Sequence, residues 1–166
     1  MRKFTTEISL PNKHYLAIGQ VMAHWSVMEW SVGRAIAEVL DIPSKEGRAI
    51  TAEMRGLEML NVLRLLAIMR LLDSDRLEKL LKLIEELEGL VSDRNLIAHG
   101  NWARDENDQL HLIKYKGGKH KIGRISGEDI PMGETELNAL AAKIKKPCHA
   151  LVDWVDDLIA VRKASP

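Results

Sequence analysis

The chain has 166 residues, 46% of them hydrophobic and 29% charged, the size and composition of one globular domain. No stretch reaches the roughly 18 uninterrupted apolar residues of a membrane span, and the start, Met1-Arg2-Lys3-Phe4, lacks the apolar segment and cleavage site of a signal peptide. The expectation is therefore a single domain over residues 1–166, cytoplasmic and with no membrane partner. Its 24 basic residues balance 24 acidic ones, so the molecule as a whole lacks the positive field of a typical nucleic-acid binder. The lone cysteine, Cys148, excludes an intramolecular disulfide, and no Cys/His spacing suits structural zinc.

From Pro11 to about Leu40, the residues Ile18, Val21, Trp25, Met28, Val32, Ile36 and Val39 recur at steps of three and four, the stripe of a long amphipathic helix. Asp41-Ile42-Pro43-Ser44 ends it, because proline disfavours helical geometry before it and donates no hydrogen bond; Ser44 is a candidate cap for the next helix. A second helical region runs from Ser44 to Leu72, interrupted near Gly47 or Gly56, with Leu57, Leu60, Leu63, Leu66 or Ala67, and Leu71 or Leu72 as its apolar face. Asp73-Ser74-Asp75 supplies N-capping side chains for a third helix carrying Leu77, Leu80, Ile84, Leu87 and Val91. It should close near His99-Gly100, where glycine can take the left-handed conformation.

After a polar stretch from Arg104 to Asp108, Leu110–Lys116 and Lys119–Ile125 flank Gly117-Gly118, which reads as a surface β-hairpin with a primed turn. From about Glu134 a last helix follows, kinked or split by Pro147. The expected fold is mainly all-α: an up-and-down bundle of four to five helices with a β-hairpin inserted near 110–125.

Asp93-Arg94-Asn95-Leu96-Ile97-Ala98-His99-Gly100 breaks the leucine pattern of the third helix with chemically capable side chains. Three residues beyond Val91, Arg94 continues the apolar seam, where a guanidinium needs an anion or dense hydrogen bonding. Asn95 and His99 are four apart and share a helix face, while Arg94 lies about 140° around from His99. Bringing Arg94 and His99 together takes a frayed terminus or a second subunit. The bland alternative is that both cations simply favour the negative end of the helix dipole.

Arg94-Asn95, three intervening residues and His99, near the end of the third long helix, resemble the motif of the HEPN domains: arginine, a polar residue, a short gap and histidine. The order of helices around the motif is similar over most of the chain; the motif itself covers about eight residues, and the hairpin is not part of the pattern. The resemblance implies a homodimer in which two motifs meet and cleave RNA without metal or other cofactor, in a toxin or antiviral effector restrained by an inhibitory antitoxin protein. It implies that His99 exchanges protons, as an imidazole can near neutral pH, that Arg94 holds phosphate oxygens, and that Asn95 orients His99 or binds phosphate. The alternative is a catalytically inactive HEPN-like module that binds nucleotide or RNA, or assembles the dimer.

Glu29 is a candidate partner of Arg94 or His99, or else a solvated carboxylate at the stripe's edge. Trp102 follows the motif and either covers the site, stacks on a base, or anchors the chain leaving the helix. Trp25, Trp30 and Trp154 read as core or interface aromatics. Lys114, Lys116, Lys119, His120, Lys121 and Arg124 make the hairpin a candidate RNA surface, although a solvated edge that resists aggregation explains the same lysines. His24 and Glu29 complete no metal motif, and Cys148 reads as a small buried residue.

Overall fold

The computed structural model describes residues 5–6, 9–116 and 126–164. Five helices, α1 (Asn12–Leu40), α2 (Ser44–Thr51), α3 (Gly56–Arg70), α4 (Ser74–His99) and α5 (Glu134–Ala164), accompany four short strands, β1 (Thr5–Thr6), β2 (Asn101–Arg104), β3 (Leu110–Lys116) and β4 (Ser126–Pro131). The mainly helical fold expected from the sequence is the fold observed. The chain divides into two compact units: residues 1–22 with 92–141, and residues 23–91 with 142–166. Among the described residues no helix is long and apolar enough to cross a membrane.

In the helical unit, residues 23–91 and 142–166, the expected stripe of α1 is buried at Trp25, Met28, Val32 and Ile36, and that of α4 at Leu80, Ile84 and Leu87. The first helix ends in a Schellman motif: Asp41 takes φ 59°, Ile42 N–H donates to Ala37 O and Asp41 N–H to Glu38 O, so the last carbonyls are satisfied before Pro43. Ser44 begins α2 without capping it, since the N-cap is Pro43 and makes no side-chain bond. The break falls at 52–55, just before Gly56. Gly47 instead lies inside α2, where a Cβ would stand 2.5 Å from Ala37 Cβ and 3.0 Å from Gly33 O, so the residue is selected by close helix approach.

The apolar face of α3 departs from the expectation. Gly56, Met59, Leu60, Leu63 and Ala67 are buried, whereas Leu57 is 44% and Leu72 fully exposed. This helix is apolar on two sides, so hydrophobic spacing alone could not tell which would face inward. The cap of α4 is as read from the sequence: Asp73 Oδ1 accepts from the backbone of Asp75 and Arg76. Pro147 does not split α5, which continues through it. Its ring is buried beside Cys148, so apolar burial offsets the lost backbone hydrogen bond. Trp154 is buried and donates Nε1 to Arg76 O.

The second unit holds the start of α1, the end of α4, the start of α5 and an antiparallel meander in the order β1-β2-β3-β4. Leu110–Lys116 is a strand as expected, and the described strand paired with it on this side is Ser126–Pro131; the expected Lys119–Ile125 arm lies outside the described residues. Lys116 pairs with Ser126 and His111 with Pro131, whereas a two-residue Gly117-Gly118 turn would set Lys116 opposite Lys119. Residues 117–125, with that turn, lie outside the described residues. A further hairpin joins β2 to β3, pairing Arg104 with Leu110 across residues 105–109.

Candidate functional site

Helix α4 stays regular through His99, and that decides the geometry of the motif. Arg94 falls between the buried Leu90 and Ile97 and is half-buried, its Nε shielded from solvent. Its tip reaches sideways, Nη1 donating to Asn95 Oδ1 at 3.0 Å. Asn95 and His99 are both exposed, one turn apart on the same helix face. The terminus is not frayed before His99, so within one chain the Arg94 and His99 side chains leave the helix about 140° apart.

Gly100 closes α4, but not by the left-handed conformation expected of it. Its N–H donates to Leu96 O at 2.7 Å, its φ lies outside the left-handed region, and the constraint is space: a Cβ would stand 2.4 Å from Leu96 O and 2.8 Å from Leu112 Cδ2. Only a residue without a side chain lets the helix turn directly into β2. Trp102 is half-buried in β2, paired with Leu112, which suits an anchor for the chain leaving the helix.

Glu29 belongs to the helical unit, and its Oε1 accepts from Trp25 Nε1 at 2.9 Å. With Trp30, Arg48, Thr51, Met54 and Met59 it lines a cleft of about 220 Å³. Trp25 is core, while Trp30 is 47% exposed with the Arg34 guanidinium 4.8 Å over its ring. Of the basic hairpin residues, Lys114 is exposed on β3 opposite Glu128, and Lys116 pairs with Ser126. Lys119, His120, Lys121 and Arg124 lie outside the described residues.

Sequence reasoning missed two buried histidines. His111, on β3, is fully buried; its Nε2 stands 3.3 Å from Asp105 Oδ2 and its Nδ1 3.8 Å from Asp129 Oδ2. The other oxygen of Asp105 accepts from the backbone N–H groups of Asn107 and Gln109, closing a turn in which Asp108 takes φ 62°. The Gln109 backbone bond, helped by the Asn107 backbone bond and by the His111 side chain, holds the Asp105 carboxyl below its ordinary value. His14, in the first turn of α1, is 5% exposed, and burial, with Lys13 and Arg104 adding to it against Glu134, lowers its pKa. The one available signal was weak: an aspartate and a histidine flanking a polar stretch that becomes a turn. Cys148 is buried as expected, and burial pushes its thiol up to about 12, far from a nucleophile's range.

Among the described residues no group of three or more His, Cys, Asp or Glu side chains could hold a metal ion. Comparison with protein-family models, with curated proteins and with solved structures finds no match to this chain.

Proposed function

We propose that the chain is a metal-independent endoribonuclease of HEPN type, acting as a homodimer with a site composed of two Arg94-Asn95-His99 motifs. The observation that carries the reading is the end of α4, where the Arg94 guanidinium is steered onto Asn95 and Asn95 shares an exposed face with His99. Because Arg94 and His99 diverge on one helix, the reading takes its cation and its proton-exchanging groups from two chains.

One His99 withdraws the proton from an RNA 2′-hydroxyl, whose oxygen attacks the adjacent phosphorus. The P–O5′ bond breaks, and the second His99, protonated, gives its proton to the departing 5′-oxygen. Arg94 binds the non-bridging oxygens more strongly as charge builds on them. The products are a 2′,3′-cyclic phosphate and a 5′-hydroxyl. Lys114 and the basic residues after it in the chain would guide the phosphate backbone. A role as a toxin or antiviral effector, and an inhibitory antitoxin partner, belong to the same proposal.

The second reading, a binding or assembly module without catalysis, is favoured by the partial burial of Arg94, since a guanidinium packed into a helix seam can serve structure alone. Cleavage of a mixed RNA pool in EDTA, by wild type and His99→Ala, separates the two. The nuclease reading expects cyclic phosphate ends from wild type and none from His99→Ala, with both proteins eluting alike on gel filtration. No cleavage by wild type across structured and single-stranded RNAs would sink it in favour of the second.

A further inference from the structure

The break between α2 and α3 leaves a cleft of about 220 Å³ against α1, lined among others by Glu29, Trp30, Arg48, Met54 and Met59. It holds a carboxylate and a guanidinium that do not pair. Glu29 is half-buried, and its Oε1 accepts from Trp25 Nε1 at 2.9 Å. Among the described residues no cation pairs with Glu29, and the exposed Arg48 has no partner either. Two opposite charges that line one small cleft without closing on each other each keep a charge-assisted hydrogen bond open, and a ligand carrying both signs would complete the two together.

We infer that this cleft binds a free α-amino acid with an apolar side chain, its ammonium on Glu29 and its carboxylate on Arg48. The inference is independent of the nuclease reading and shares no residue with the Arg94-Asn95-His99 motif. Spacing and size select the ligand. The Glu29 carboxylate reaches back toward Trp25, one turn earlier on α1, and a Cβ at Gly56 would stand 3.3 Å from its Oε1. Arg48 passes beside Gly33, one turn after Glu29, where a Cβ would lie 3.9 Å from Arg48 Cγ. Carboxylate and arginine stem are thus one to two turns apart along α1, about 5–11 Å. With a hydrogen bond of about 2.8 Å at each end, that span leaves about 5 Å or less for the ligand's own cation and anion, and an α-amino acid carries both on one carbon. The volume is below the roughly 300–1,000 Å³ of clefts that take drug-sized molecules, so it admits a single amino acid and not a whole nucleotide.

The walls are apolar and held in place. Trp30 is 47% exposed, Met54 half-buried and Met59 buried. One face of the Trp30 indole is taken by the Arg34 guanidinium, 4.8 Å from the ring centroid and paired with Asp156 at 2.8 Å. That contact fixes the ring and neutralises the nearest other cation. The rest of the indole and the two thioethers, unbranched and polarizable, accommodate an aliphatic or aromatic side chain. Because Trp25 holds Glu29 and Arg34 holds Trp30, little side-chain freedom is lost on binding.

Ligand-observed NMR titration of the full chain with L-leucine, L-methionine and L-phenylalanine tests this. At least one should bind with a Kd of about 1 mM or tighter, as suits so small a molecule. The amide of that amino acid, which lacks the carboxylate, and its N-acetyl form, which lacks the ammonium, should each bind at least about 10-fold more weakly. Glu29→Gln retains an oxygen for Trp25 Nε1, and Arg48 is exposed, so both Glu29→Gln and Arg48→Ala should melt with wild type. Each should weaken the free amino acid at least about 10-fold, while the N-acetyl form binds Glu29→Gln as it binds wild type, and the amide likewise Arg48→Ala. Should a variant fail to fold, the amide and N-acetyl comparison on wild type decides. No binding of any of the three up to about 10 mM, or binding that both substitutions leave unchanged, would overturn the site; an amide or N-acetyl form that binds as tightly as the free amino acid would overturn the zwitterion as its ligand.

Discussion

Replacing Gly100 by alanine tests whether the turn from α4 into β2 is held by space. The added Cβ meets Leu96 O at 2.4 Å and Leu112 Cδ2 at 2.8 Å, both inside any distance a real Cβ tolerates. The leucine methyl can rotate away; the Leu96 carbonyl cannot, because it belongs to the helix backbone and accepts the Gly100 N–H. Relief requires opening the last turn, which costs about 2–3 kcal/mol, the upper part of the range for forced packing. In a chain of this length each kcal/mol is worth about 2–4 °C in melting temperature, so a fall of about 5–10 °C is expected. Gly89→Ala is the matched control. It lies on the same helix with nothing within 4 Å of its Cβ, and there alanine should stabilise by about 0.5–1 kcal/mol through the helix propensity it restores. Thermal melts followed by circular dichroism read both. If Gly100→Ala melts with or above wild type, the crowding argument is wrong and the glycine is dispensable.

Arg94→Lys keeps the charge but loses the planar fork bonded to Asn95; under the proposed mechanism, single-turnover RNA cleavage should drop about 100-fold or more, and an unchanged rate would remove Arg94 from the phosphate. His14 is held below its ordinary 6.5 in the folded chain, so on acidification the unfolded chain takes up its proton first. Stability should therefore fall as pH drops through 6.5 and level off below the folded value, and melts across that window should lose this dependence in His14→Leu. Asp105 is likewise held below its ordinary 3.8; its stabilisation is present above 3.8 and lost as pH falls through the folded value. Asp105→Asn should melt lower than wild type at neutral pH and lose less on acidification, which parallel pH-stability curves for the two proteins would contradict.

Much of the fold was legible because it depends on local rules. The stripes of α1 and α4, the stop at Asp41-Ile42-Pro43 and the cap at Asp73 follow from a 3.6-residue period and from backbone donors needing partners. The Arg94-Asn95-His99 run was likewise visible as a break in a leucine pattern. What the sequence could not decide involves partners distant in the chain. Ser126–Pro131 contains Gly127 and Pro131 and has little strand preference of its own; pairing with β3 makes it a strand. His111 and Asp105 become a buried pair only when the β2–β3 turn closes. The inward side of α3 was undecided because leucine and methionine occur all around it, and packing against the rest of its unit selected one side. Sequence by itself determined where helices begin, end and carry an apolar face, because those are contests among neighbouring residues. Tertiary structure alone decided which of two apolar faces is buried, which strands pair, and that Gly100 is required for room, because each depends on atoms brought close only by folding.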